Sequence, residues 1–89
     1  VDSGKPYTDL EVTDKYTIRE FDGNIDPIEL LWHRDEEDRT IEVLEDTDWQ
    51  IQLEDKLPSC LKDRIFIARH EWHRVIKGAG TLTLKIHKT

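Results

Sequence analysis

Apolar and polar residues alternate along this chain in short stretches, the period of strands that bury one face. Asp9-Leu10-Glu11-Val12 and Tyr16-Thr17-Ile18-Arg19 carry it first. Thr40-Ile41-Glu42-Val43-Leu44-Glu45 and Asp48-Trp49-Gln50-Ile51-Gln52-Leu53 follow, and around Asp46-Thr47 they predict a β-hairpin. Arg64-Ile65-Phe66-Ile67-Ala68 is apolar on both parities at its centre and reads as the most buried strand. Trp72 to Lys77 and Thr81 to Ile86 complete the set, while Pro58 restricts Lys56 to Leu61 to a short edge or a connection. Turn chemistry separates these runs at Asp22-Gly23-Asn24, Arg69-His70-Glu71 and Gly78-Ala79-Gly80. Asp26-Pro27-Ile28-Glu29 has the cap and proline of one helical turn, but the run after it is β-like. About eight short strands at roughly ten-residue spacing predict an all-β sandwich or barrel.

No internal repeat or second domain is marked, so 1–89 reads as one domain with a loose polar segment at 1–7. If the turns conserve strand sense, the odd-numbered positions from 31 to 77 face inward. Leu31, His33, Asp35, Ile41, Val43, Trp49, Ile51, Leu53, Ile65, Ile67, His73 and Val75 then share one side. Leu44, Phe66, Trp72 and Ile76 fall on the outer face, an apolar set that predicts a partner surface, most simply a second copy of the chain.

Composition narrows the partners. The net charge is −7 with a pI near 5.0, and charged residues make up 37% of the chain. Lysines and arginines are interleaved with carboxylates, so there is no positive footprint for nucleic acid or for anionic lipid. A chain of 89 residues buries roughly 60–65% of its unfolded surface, which predicts modest stability or stability shared with a partner. The single cysteine, Cys60, forms no intrachain disulfide, and no apolar run is long enough for a membrane span. A soluble cytoplasmic protein is the expectation. The start at Val1 rather than Met points to a processed or trimmed chain.

The candidate chemistry lies in Leu31-Trp32-His33-Arg34-Asp35 and in His73, forty positions on. His33 and Asp35, two apart, share a face if the stretch is extended, where an imidazole and a carboxylate can hold one ion. His73 sits in the other strongly β-type run that contains a histidine. The alternative is a structural hydrogen bond at His33 and a lining role for His73. Arg39 and Arg74, with Arg34, are candidates for holding an anionic ligand, and Trp49 for stacking on a ring; pairing with carboxylates and core packing are the alternatives. Asp35-Glu36-Glu37-Asp38 lacks the glycine and ligand alternation of a calcium loop and reads as a solvated turn.

These residues resemble the two motifs of the cupin superfamily, small double-stranded β-helix or jelly-roll barrels. The first motif commonly reads G-x5-H-x-H-x3/4-E-x6-G and the second G-x5-P-x-G-x2-H-x3-N. His33 stands at the leading His, Asp35 at the second His, Arg39 at the Glu and Asp46 at the closing Gly. In the second motif Lys62, Ala68 and His70 replace Gly, Pro and Gly, His73 keeps the His, and Lys77 replaces the Asn. Arg39 cannot ligate a metal, so the usual three-His-one-Glu sphere is excluded. The resemblance therefore implies an RmlC-like cupin fold, which by itself selects no reaction, with His33, Asp35 and His73 as a two-His-one-carboxylate set for Fe, Mn, Ni or Zn. It also implies a small-molecule ligand in the barrel, and the apolar outer face adds the expectation of a homodimer. A metal-free cupin that binds a small molecule or a protein is the other reading.

Overall fold

The computed structural model describes residues 6–88. Eight strands form: β1 (Tyr7–Val12), β2 (Tyr16–Phe21), β3 (Arg39–Val43), β4 (Gln50–Leu53), β5 (Ser59–Cys60), β6 (Arg64–Ile67), β7 (His73–Ile76) and β8 (Leu82–Lys88). They make two antiparallel sheets, ordered β1-β2-β8-β3-β6 and β5-β4-β7. Most of the expected loose segment 1–7 lies outside the described residues; within them, Tyr7 opens β1.

The inner faces meet in a core of Phe21, Leu30, Ile41, Trp49, Ile51, Leu61, Ile67, Leu82, Leu84 and Ile86. Each such side chain contributes about 1.5–3 kcal/mol on burial. Strand alternation supplies most of the set, since Leu82, Leu84 and Ile86 come from one face of β8 and Ile41 lies across from Ile86. The outer face of the larger sheet is laced by charge. Glu42 accepts from His87 at 2.9 Å and pairs with Arg64 at 3.5 Å, while Lys85 sits over the Tyr16 ring.

Several local expectations change. The runs on either side of Asp46-Thr47 do not form a hairpin, because β3 pairs with β6 and β8 whereas β4 pairs with β5 and β7. That segment carries the chain from one sheet to the other, as a two-sheet barrel requires. β6 is an edge strand with Phe66 58% exposed, not the most buried one. Leu10 and Val12 point outward at 55% and 62% exposure, and the register of β1 shifts between Asp9 and Glu11. The Asp26 signature does produce a turn: Pro27–Glu29 is a single 3-10 turn, capped by Asp26 Oδ1 accepting from the Ile28 N–H at 3.1 Å. Leu31 to Asp35 is therefore not a strand, and only His33 makes a β-bridge, to His73.

Inward parity holds from Ile41 through Val75, each of those odd positions being buried or half-buried. It fails at Leu31, which is 68% exposed, and at His33, which is also exposed, because the 3-10 turn resets the sense of the chain before it reaches the sheet. Among the described residues, no helix is long and apolar enough to cross a membrane.

Candidate metal centre

His73 opens β7 on its inner face, opposite Leu53 of β4. His33 joins the free side of β7 by exchanging both backbone hydrogen bonds: its N–H donates to His73 O at 3.0 Å, and its carbonyl accepts in return from the His73 N–H at 2.9 Å. Residues paired in this way carry their side chains on one side of the sheet. The two imidazoles accordingly meet edge to face, 4.2 Å between centroids.

Asp35 follows two positions later and is fixed by a second set of contacts. Its carbonyl accepts from the His70 N–H at 2.8 Å, and Asp38 Oδ1 accepts from the Arg69 N–H at 2.9 Å. Together with Glu36, 3.1 Å from His70 Nε2, these bonds tie the acidic turn to the turn before β7. His70 adopts φ 67° there, the left-handed region that a tight reversal uses. The acidic run thus acts as a latch that carries Asp35 to His73, with Nε2 and Oδ2 3.4 Å apart.

Ligand-forming atoms of His33, Asp35 and His73 all lie within 4.8 Å of one another. Metal bonds of about 2.0–2.2 Å to N and O place neighbouring ligand atoms of a tetrahedral site roughly 3.3–3.6 Å apart. The His73–Asp35 pair already has that spacing, and closure by about an ångström brings in the rest. The donor set fits a borderline divalent ion.

The ring nitrogens are presented for the task. His33 Nδ1 lies 3.1 Å from Leu31 O, and His73 Nδ1 lies 2.8 Å from Glu71 O. A carbonyl only accepts, so both Nδ1 atoms carry hydrogen and the lone pair of each neutral ring is on Nε2. Burial pushes the His73 pKa down from its usual value; His33 nearby acts in the same direction, and the Glu71 carbonyl and Asp35 oppose it. The neutral, metal-binding form is therefore favoured.

Arg39 lies beside this group. Its Nε is 3.5 Å from Asp35 Oδ2 and is a buried nitrogen without a hydrogen-bond partner. Arg39 Nη2 is 3.9 Å from Glu37. Arg74 points away: its Nε donates to Gln52 Oε1 at 3.0 Å and its guanidinium stands over Trp32, 5.0 Å from the ring centroid. Arg34 stands over Trp72 in the same way at 5.3 Å. Trp49 has no exposed surface; it packs on Phe21 and donates Nε1–H to Gly80 O at 3.1 Å. Of the residues singled out in the sequence, His33, Asp35, His73 and Arg39 come together, whereas Arg74 and Trp49 are elsewhere.

Two features escaped the sequence reading. The tripeptide Trp-His-Arg occurs twice, at 32–34 and 72–74, and the copies lie antiparallel, histidines on one face and Trp–Arg pairs on the other. That repetition was available as a signal. The cavity beside His33 was not, since Tyr7, Phe21, Leu30, Leu31 and Val75 reach it from distant parts of the chain. A larger cavity of about 450 Å³ lies between the segments 43–47 and 60–63, with none of the three ligand candidates on its wall.

No protein-family model matches the chain, and no curated protein matches it. Solved structures do. An RmlC-like cupin family protein from Methanocaldococcus jannaschii superposes with a TM-score of 0.67 at 12% identity, over 93% of this chain and 77% of that one. A cupin-2 domain protein from Shewanella frigidimarina gives 0.59 at 16% identity, over 92% and 78%. KdgF from Halomonas sp. gives 0.62 at 17% identity, over 99% and 82%. The two sheets, their strand order and these likenesses together establish that the chain has the cupin double-stranded β-helix fold.

Proposed function

We propose that this protein binds a divalent metal ion, iron, manganese, nickel or zinc, through His33, Asp35 and His73, and holds a small anionic ligand beside it. One observation carries the reading. With hydrogen on Nδ1, His73 turns an Nε2 lone pair toward the lone pairs of Asp35 Oδ2 at 3.4 Å. Two acceptors facing each other call for a cation between them, and burial disfavours the proton as that cation. An ion held there would supply Lewis acidity to a bound oxygen.

Charge supports the anionic ligand. A doubly charged ion, one carboxylate and the Arg39 guanidinium leave net positive charge, and Arg39 Nε, which faces Asp35 at 3.5 Å without a hydrogen bond, has a donor to offer it. A second reading rests on the same arginine: Arg39 substitutes for the metal as the counter-charge of Asp35, and the barrel is a metal-free binding module. The proposal extends to two copies associating through exposed apolar edge residues. A cytoplasmic setting fits the free, exposed Cys60.

The test is metal content after anaerobic loading in turn with Fe(II), Mn(II), Ni(II) and Zn(II). About one equivalent per chain, lost in His73→Ala with unchanged β-sheet circular dichroism, is expected from a single site of this ligand set. No retained metal under any loading selects the metal-free reading.

A further inference from the structure

A cavity of about 270 Å³ adjoins the candidate centre, with His33 on its wall. Its position follows from the pleat. His73 and Val75 lie on the inner face of β7, two residues and so about 6.6 Å apart. Val75 lines the cavity together with Tyr7, Phe21, Leu30 and Leu31. The exposed Leu31 thereby acquires a place, at the lip of an apolar chamber one pleat along from the two histidines. For scale, an engineered apolar cavity of about 150 Å³ binds benzene.

Two charged residues reach the same wall, and neither offers a free positive charge. Arg19 directs Nε and Nη2 to Asp9 at 2.7 and 3.3 Å and lies over the Tyr7 ring at 3.7 Å. Glu29 adds a carboxylate that repels a further anion. One end of the ligand is thus asked to be anionic and the remainder to be apolar.

We propose that the ligand is a small monoanion with an apolar body, its charged end at the metal beside Arg39 and its body in this cavity. The assignment rests on the metal reading above, and the experiment separates the two. Isothermal titration of the metal-loaded full chain compares hexanoate with adipate, which has the same chain length and a second carboxylate. Hexanoate binding about tenfold tighter or more is expected, as for burial of an apolar chain without a second charge to desolvate. Leu31→Asp, at an exposed lip position, is expected to weaken hexanoate by about tenfold while keeping one equivalent of metal. Hexanol, observed by NMR on metal-free protein, reads the cavity by itself and is expected to be lost in the same variant. Adipate binding as well as hexanoate, or Leu31→Asp binding hexanoate unchanged, overturns the ligand assignment. Hexanol binding in a protein that retains no metal overturns the metal reading and leaves the apolar chamber standing.

Discussion

His33 and His73 are backbone partners before they are side-chain partners: each N–H donates to the other's carbonyl, at 3.0 and 2.9 Å. The same local device then orients both rings, since each Nδ1 faces the carbonyl two residues earlier, Leu31 O and Glu71 O. Ring placement therefore depends on main-chain groups that a side-chain substitution nearby leaves intact.

Arg39 is the residue with opposed effects on metal and anion. It stands 3.5 Å from Asp35 Oδ2, where it competes for the carboxylate and repels a cation. Arg39→Gln is expected to tighten metal binding by about 10- to 100-fold, the scale on which residues around metal ligands act. The same change is expected to weaken a carboxylate ligand. Arg39→Glu should tighten the metal further by adding a ligand. Competition titration against a chelator reads the first effect and calorimetry the second; weaker metal binding in Arg39→Gln would rule out this role for the guanidinium.

Acid stability provides an independent readout of His73. Its folded pKa is depressed, so below the usual histidine value of about 6.5 the unfolded chain binds more protons than the folded one. The contribution is fully present above that value and is lost as pH falls toward the depressed one. Metal-free protein, kept so by a chelator, should lose thermal stability on acidification from neutral pH through this window. His73→Asn keeps a donor for Glu71 O without the titration, and the slope there should flatten. Glu42 is also depressed, chiefly by its bond from His87, but its contribution disappears only below the ordinary glutamate range. An unchanged slope in His73→Asn would assign the acid sensitivity to other groups.

How much of this was legible in the sequence can be traced residue by residue. Alternation at Ile41, Ile51, Leu82, Leu84 and Ile86 identified core faces because strand period depends only on local geometry. His33, Asp35 and His73 were readable as a set from residue type, but the strand that the His33–Asp35 spacing presupposed does not form, and Asp35 is carried in by the bonds of the acidic turn instead. The hairpin expected around Asp46-Thr47 failed because alternation gives a strand's faces and not its neighbour; pairing was decided by the partners β6, β7 and β8. Leu31 was misjudged for a related reason, while Trp49 takes the core place that was its alternative to stacking on a ring, and Arg74 lies away from the candidate centre. Whether an aromatic, a cation or a leucine lines a cavity depends on residues such as Tyr7 and Gly80 that sequence spacing does not bring near.

The indole of Trp49 joins two remote loops, and its loss should be measurable. Fully buried, it packs on Phe21 and donates to Gly80 O. Trp49→Phe leaves that carbonyl without its donor, a cost of about 1–3 kcal/mol. Trp49→Ala adds the cavity and should cost about 3–5 kcal/mol, a large share of the stability of so small a domain. Gly23 packs closely on the same carbonyl, since a Cβ there would stand 2.6 Å from Gly80 O. Gly23→Ala should therefore destabilise as well. Urea unfolding followed by fluorescence measures all three, and a neutral Gly23→Ala would show that the 78–80 loop shifts freely.

The two edges of the larger sheet differ in how they present themselves to a second copy. β1 shifts register between Asp9 and Glu11 and carries carboxylates around Leu10 and Val12, features that discourage strand addition. β6 has no such irregularity in its pairing with β3, and it displays Phe66 at 58% exposure. If the expected homodimer forms, β6 is the better edge for it, and Phe66 becomes buried against the partner. Sedimentation equilibrium should then give a dimer for the unmodified chain and a monomer for Phe66→Lys, while Leu10→Lys retains the dimer. Equal loss in both variants would move the contact to a surface shared by the two edges. A monomer at every concentration of the unmodified chain would end the dimer proposal and leave the exposed phenylalanine without a role in self-association.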